Sequence, residues 1–332
     1  MPPTASRPTL VTVARLAGVS VASASRVLSG GQATPDMERR VREAAAQLGY
    51  VPDTAARSLR ARRTNQLAFA VPDVGNPAYV EMMRGIESVT RASGYRLLVQ
   101  STGADVAEEV SLIQSLGERY VDGLIIVPIR ITDELLRALA VTAAPIAVVT
   151  SLPDGAPVDN VRTDSGLGVT FVIEHMLKSG RQAFAMLNGP ADTVPGAERI
   201  RGFETAVGAA GLRPVAVELA SDFTYAAGLV AARRFLSRCR PDAIVCGNDL
   251  LAFAAIRALR EERLDVPDDV AVAGIDNTEL AEMHLPSLTS VSLESAPRGQ
   301  LAARMLLDRI GNPDLPPRRE KVLPRLVVRE ST

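Results

Sequence analysis

Apolar residues in the first fifty positions repeat with a helical period. Leu10, Val13, Ala14 and Ala17 share one face of a predicted helix that Thr9 can cap and Gly18 can end. Ser20 caps a second helix over 21–28, with Ala24, Val27 and Leu28 turned inward, and Gly30 and Gly31 break it. Thr34 caps a third, which starts at Pro35, carries Asp36 and Glu38 in its first turn, and runs to Leu48 before Gly49. Val41, Ala44, Ala45 and Leu48 fall on its one apolar face. The first two helices, joined by Ala17-Gly18-Val19-Ser20, have the length and turn of a helix-turn-helix, a shape shared by many helical hairpins.

From Gln66 the pattern changes, and short apolar runs alternate with helical stretches. Strands are predicted at 67–71, 96–99, 123–127 and 145–149, with a helix over 77–94 that carries Met82, Met83, Ile86 and Val89 at helical spacing. The series restarts with a helix over 165–179, then strands at 183–187, 215–219, 243–246 and 270–275. Such runs predict parallel sheets covered by helices on both faces, and two series predict two doubly wound lobes.

Composition sets the outer limits. With 332 residues, 47% hydrophobic and 23% charged, the chain can bury a large core in two or three domains. No apolar run approaches the roughly 18 residues of a membrane span. The start, MPPTASRPTL, lacks the apolar segment of a secretory signal, so a cytoplasmic protein is expected. Cys239 and Cys246 fit neither a redox nor a zinc spacing, and with two histidines no metal or other cofactor is expected. The net charge of −1 hides an asymmetry. Residues 1–63 hold ten arginines, no lysine and four acids (Asp36, Glu38, Glu43, Asp53), a net +6, leaving 27 basic and 34 acidic residues, a net −7, for the rest. A basic head on an acidic body fits either a polyanion-binding head or a solvated basic face.

Thr9-Leu10-Val11-Thr12-Val13-Ala14-Arg15-Leu16-Ala17-Gly18-Val19-Ser20-Val21-Ala22-Ser23-Ala24-Ser25-Arg26-Val27-Leu28 resembles the DNA-binding head of the LacI/GalR family of transcriptional regulators. Leu48-Gly49-Tyr50-Val51-Pro52-Asp53 and Ala55-Ala56-Arg57-Ser58-Leu59 resemble that family's third-helix end and hinge helix, and the likeness continues to about Val328. It implies a helix-turn-helix head (1–52), a hinge helix (53–63) and an effector-binding, dimerising body (64–332) of the type I periplasmic-binding-protein fold. In that fold the chain crosses between lobes three times, giving discontinuous lobes of 64–160 plus 293–321 and 161–292 plus 322–330. The implied function is a repressor, not an enzyme, that binds a near-palindromic operator as a homodimer under control of a small-molecule effector.

In such a head the start of the recognition helix meets base edges. Val21 and Ala22 stand there and offer only apolar contacts, such as thymine methyl groups. Arg26, four residues beyond Ala22, can pair bidentately with guanine. Thr9, Ser20, Ser23 and Ser25 suit phosphate oxygens or serve as caps, and the resemblance adds Tyr50 to the DNA-binding set. Leu59 is stranded among Arg57, Arg60, Arg62 and Arg63. The family role would be a minor-groove wedge that kinks the operator; the alternative is packing on the body. Three positions depart from the family pattern: Ser29 and Asp53 replace common asparagines, and Met37-Glu38 replaces a Thr-Arg pair, with Arg39 and Arg40 nearby as substitutes.

Ligands of such sheets bind at the carboxyl ends of strands, here between the lobes. The loops there carry Asn76 and Tyr79, then Glu198-Arg199, Asp222-Phe223, Asn248-Asp249 and Asp276-Asn277. Arg199 matches a family position that grips effector. The expected contacts are Asn76, Tyr79, Arg199, Phe223, Asn248 and Asp276, whereas Asp249 and Asn277 read as loop or cap structure. Amides and carboxylates that pair with vicinal hydroxyls, beside an aromatic face, suit a sugar or sugar derivative. Thr150, Ser292-Leu293-Glu294, Thr193 and Pro195 depart from familiar members of the family.

Rival classes lack their marks. A stand-alone exported sugar-binding protein would share the body but not the basic head. A dinucleotide-binding enzyme needs G-x-G-x-x-G after the first strand, where Pro72-Asp73-Val74-Gly75-Asn76-Pro77 stands. Neither His175 nor His284 adjoins an obvious nucleophile. No apolar heptads follow the last strand, so a tetramer built on a C-terminal helix bundle is not expected.

Overall fold

The computed structural model describes residues 8–51 and 63–332, so Leu59, Asp53 and the expected hinge helix lie outside the described residues. The chain divides into two compact units, residues 1–64 and 65–332.

The head consists of α1 (Leu10–Ala17), α2 (Val21–Leu28) and α3 (Pro35–Leu48). Each begins as its sequence predicts. The hydroxyls of Thr9, Ser20 and Thr34 accept from the backbone N–H of Thr12, Ser23 and Met37, satisfying donors that a helix start leaves open. Gly18 ends α1 in the left-handed conformation, φ 63°, and the chain turns by 103° into α2, within the helix-turn-helix range. Val13, Ala14, Ala17, Ala24, Val27, Val41, Ala44 and Ala45 form the core of this unit.

The body holds two six-stranded sheets. The first has strand order β11-β5-β4-β3-β1-β2, from β1 (Gln66–Val71), β2 (Arg96–Ser101), β3 (Gly123–Ile126), β4 (Ile146–Val148), β5 (Asp159–Thr163) and β11 (Arg319–Val322). The second has order β12-β10-β9-β8-β6-β7, from β6 (Phe184–Asn188), β7 (Ala216–Leu219), β8 (Ala243–Cys246), β9 (Ala271–Ile275), β10 (Thr289–Ser292) and β12 (Arg325–Val327). On the first sheet, α4 (Pro77–Thr90) and α12 (Ser295–Gly311) cover one face, and α5 (Val106–Ser115) and α6 (Asp133–Val141) the other. On the second, α7 (Ser165–Lys178) and α8 (Val194–Ala209) face α9 (Tyr225–Leu236) and α10 (Asp249–Glu261) across the strands. The short α11 (Glu279–Met283) follows β9.

Three details differ from the sequence expectation. The helix over 77–94 stops at Thr90, because Tyr95 N–H turns back to the Thr90 carbonyl and Gly94 takes φ 76°. Residues 161–163 and 322, assigned to the second lobe from sequence, belong to the first sheet, where 161–163 pair with 320–322, so the crossings fall after Thr163 and Val322. The second sheet is not purely parallel: β12 runs antiparallel to β10. Only Leu323 and Pro324 separate β11 in the first sheet from β12 in the second, so the chain passes directly from one sheet to the other.

The packing of α4 on α12 matters for the cleft. Both helices bring glycine to the contact: a β-carbon on Gly85 would collide with the Ala296 carbonyl, and one on Gly299 with the Met82 carbonyl. The two backbones therefore touch, which fixes Tyr79 and Arg298 near the ends of these helices. Asp159, fully buried, fastens β5 to α12 and to the segment before β11 through Arg309 and Arg318 at 2.8–3.0 Å.

Candidate functional site

On the head, Val21, Ala22 and Arg26 are exposed on α2, and the Arg26 guanidinium makes no ion pair among the described residues. Gly31 lies against the stem of Arg26, where a β-carbon would sit only 2.7 Å from its Cγ, so the loop after α2 braces that side chain. Arg15 is likewise exposed without an ion pair among the described residues; sequence reasoning did not single it out.

The hydroxyl residues divide. Thr9 and Ser20 are caps, and Ser20 also bonds the Ser23 hydroxyl at 2.9 Å, so phosphate contacts there compete with local bonds. Ser25 is half-buried, and Tyr50 is packed against the head core. The α3 departures also have structural reasons. Met37 packs on the core, while Glu38 holds Arg42 at 2.7 Å. Arg39 and Arg40, the expected substitutes, are instead paired with Asp36 at 2.8 and 3.1 Å, and Arg39 also with Glu43 at 3.0 Å. Exposed pairs of this kind are worth little and leave no strong bias against phosphate.

In the body, a cavity of about 520 Å³ opens between the lobes at the carboxyl ends of the strands. Asn76, Tyr79, Arg199, Phe223, Asn248 and Asp276 all line it. Their freedom to meet a ligand differs. Asn248 is committed: its side-chain oxygen caps α10 at Leu251 N and its amide donates to the Phe223 carbonyl, both at 2.9 Å. It shapes the wall, a role that sequence reasoning did not anticipate. Asn76 caps α4 through its oxygen at 3.0 Å. Arg199 is 6% exposed, donates Nη1 to the Gly247 carbonyl, and lies 5.6 Å from the Phe223 ring centroid. Its Nε is buried without a hydrogen-bond partner among the described residues.

Asp276 adopts φ 112°, a backbone conformation that costs a non-glycine residue roughly 1–3 kcal/mol. Burial pushes its carboxyl up to about 6, against the pull of the Arg199 and Arg298 charges. Beneath it, Asp249 is a structural latch, as its sequence reading proposed: it accepts from Thr278 N (2.7 Å), Thr278 Oγ1 (2.8 Å) and Ser290 Oγ (2.5 Å). Burial and the nearby Asp276 charge push Asp249 up to about 7. Asn277 receives no cavity role; its N–H donates to Ser290 Oγ at 2.9 Å.

Two arginines were missed. Arg298 of α12 lines the cavity, is 8% exposed, and also has a buried Nε without a hydrogen-bond partner among the described residues. Burial lowers it to about 10. The available signal was an arginine on the same face as Ser295, Gly299, Ala302 and Ala303 of an amphipathic helix. Arg130, after β3, bonds Asp192, after β6, at 2.8 Å, and Ile129 O accepts from Val194 N at 2.7 Å. These contacts join the lobes at the cleft rim, across a sequence gap that no local pattern reveals.

A test of the site's stored strain follows from Asp276. An acid whose folded value exceeds its unfolded one costs nothing well below pH 4, and its cost grows as the pH rises from about 4 to 6. Asp276→Asn should therefore raise the unfolding free energy of the ligand-free protein near about pH 7.5, by up to ~3 kcal/mol, with the gain shrinking toward pH 4. Denaturant unfolding at both pH values checks this; a gain independent of pH would contradict it.

Residues 9–53 match the family described as bacterial regulatory proteins, lacI family, and residues 173–332 match a periplasmic binding protein-like domain. The chain is 33% identical over 330 residues to the HTH-type transcriptional repressor PurR of Aliivibrio fischeri (strain MJ11), covering 97% of this chain and 98% of that one. It is 34% identical over 336 residues to the HTH-type transcriptional regulator CelR of Thermobifida fusca, covering 98% of each. Among solved structures, a lac repressor dimer bound to operator and the anti-inducer ONPF superposes with a TM-score of 0.87 at 25% identity, over 98% of this chain and 99% of that one. A CelR–cellobiose complex superposes with a TM-score of 0.74 at 32% identity, over 98% and 100%.

The chain belongs to the lacI family of bacterial regulatory proteins. It is a transcriptional regulator with a DNA-binding head and an effector-binding body, and not an enzyme. The full-length match to repressors sets aside the stand-alone binding protein. No single helix among the described residues is long and apolar enough to cross a membrane.

Proposed function

We propose that the protein acts in the bacterial cytoplasm as a homodimer that represses from a near-palindromic operator, and that a sugar-like effector in the interlobe cleft sets its DNA affinity. The observation that carries this reading is the cavity itself. Arg199 and Asp276 reach it from the second lobe, Tyr79 and Arg298 from the first. An occupant that touches all four changes the free energy of closing the lobes, and that difference is what biases a coupled head. Tyr79, Ser101, Thr150, Ser165 and Thr224 bring hydroxyls to the same cavity as the Phe223 ring, a mix that suits a polyhydroxylated ligand.

Dimerisation has support in surfaces without a partner in one chain. Leu98 and Val99 are 42% and 44% exposed on the edge strand β2, and Met283 is 70% exposed on α11. Two heads related by a two-fold axis read two half-sites related by the same symmetry. Selection of binding sites from random duplex DNA by the full-length chain tests the reading. The expected result is an inverted repeat occupied by two chains; an asymmetric site bound by a single chain would refute it.

A further inference from the structure

Phe223 stands in the cleft on a backbone held from both sides. The Asn248 amide donates to the Phe223 carbonyl at 2.9 Å, and Asp222 accepts from Thr224 N at 2.7 Å. The ring is therefore aimed by its own two torsions and by what it leans on. The Arg199 guanidinium lies over it, with Cζ 5.6 Å from the ring centroid. Its edge lies on Gly189, the residue after β6. A β-carbon at Gly189 would sit 2.5 Å from Cε1 and Cζ of Phe223 and 2.7 Å from Cδ1. Carbon atoms are in good contact at about 3.5–4.0 Å, so the ring occupies the space a side chain would need. The backbone itself does not ask for glycine here. Gly189 is outside the left-handed region, and Pro190 biases it toward an extended conformation that alanine adopts readily. Gly196 and Gly299 are different, because there the obstacle is backbone, the Pro190 and Met82 carbonyls. At Gly189 the obstacle is the free end of a side chain, which can turn away.

We propose that Gly189 is a positioning residue of the effector site and acts through Phe223. The bare backbone at the end of β6 is the seat on which the ring lies, and that seat keeps the ring beneath Arg199. A side chain at position 189 pushes the ring off. Phe223 is bounded by the packed core of the second lobe and by the cavity, so the displaced ring turns into the cavity. Two effects follow together. Arg199 loses the aromatic face beneath its guanidinium, and the cavity of about 520 Å³ narrows from the second-lobe side. Gly189 thus sets both how the arginine is held and how large an occupant fits, although it does not itself line the cavity. This rests on the reading of the cleft as the effector site, but the position of the ring can be measured without any ligand.

The chain contains no tryptophan, so Phe223→Trp places a single indole on the seat of the full-length protein. Adding Gly189→Ala to that variant should shift the indole emission to the red and raise its quenching by acrylamide, as the ring leaves the wall for the open cleft. Affinity is then measured by calorimetry with the tightest binder among D-ribose, D-glucose and cellobiose. Gly189→Ala should weaken binding roughly three- to thirtyfold, the worth of an arginine–aromatic contact. In a Phe223→Ala background, where no ring remains to be displaced, the same change should alter affinity less than about twofold. A glycine that only supports the fold would instead lower the melting temperature and leave this difference between backgrounds at zero. Equal affinity losses in both backgrounds, or an indole spectrum indifferent to Gly189→Ala, overturn the assignment. Binding by none of the three sugars refutes the sugar reading of the cleft, and the indole spectrum alone then decides for or against the seat.

Discussion

Replacing Arg199 by alanine is expected to weaken effector binding roughly tenfold to a hundredfold. Removing one partner of a charged hydrogen bond costs about 1.5–3 kcal/mol, and here the lost side chain also lies over the Phe223 ring. The same change leaves the Gly247 carbonyl without its donor, so a modest fall in melting temperature should accompany it. Arg199→Lys separates the two contributions. Lysine keeps a positive charge but has no fork, so it should restore stability more than affinity. Calorimetry beside thermal melts of the ligand-free protein reads both. An unchanged affinity in Arg199→Ala would place the ligand elsewhere.

Arg26→Ala should abolish most discrimination between the operator and random DNA. A bidentate arginine–guanine contact is worth about 1–3 kcal/mol per half-site, and a symmetric dimer would lose it twice. Binding to random DNA should change little, since phosphate contacts supply that part of the affinity. The fold of the head should survive, because Arg26 is exposed and its guanidinium makes no ion pair among the described residues. Fluorescence anisotropy at fixed salt, with operator and scrambled duplexes, measures the ratio. Equal ratios for variant and unaltered protein would remove Arg26 from the reading surface.

Much of this arrangement was legible in the sequence where the signal is local. Thr9, Ser20 and Thr34 announce helix starts because a hydroxyl beside free N–H groups leaves few other roles. The alternation of apolar runs and amphipathic stretches marks the two series of strands, and strand ends place the cleft loops. Long-range contacts left no such trace. Asn248 belongs to the cavity wall, yet its amide is spent on Leu251 and Phe223, and only the folded chain reveals that. Arg39 and Arg40 are a different case: Asp36, three and four residues away on the same helix, pairs with both, a local contact that the sequence reading passed over. Arg298 went unnoticed because a lone arginine in a helix is usually solvated. The antiparallel β12 follows a two-residue link between the sheets and pairs with β10, a long-range pairing that propensity does not encode.

The central claim is that cleft occupancy and DNA affinity are one linked equilibrium. It is tested most directly by measuring the affinity of a cleft-bound ligand for the full-length protein with and without saturating operator. Linkage requires the ligand's affinity to change by the same factor by which the ligand changes operator affinity, about 5–150-fold for typical coupling. Arg199→Ala should lower both ligand affinities while leaving operator binding without ligand unchanged. Matching factors in the two directions are the predicted result; a ligand affinity indifferent to operator would contradict the account.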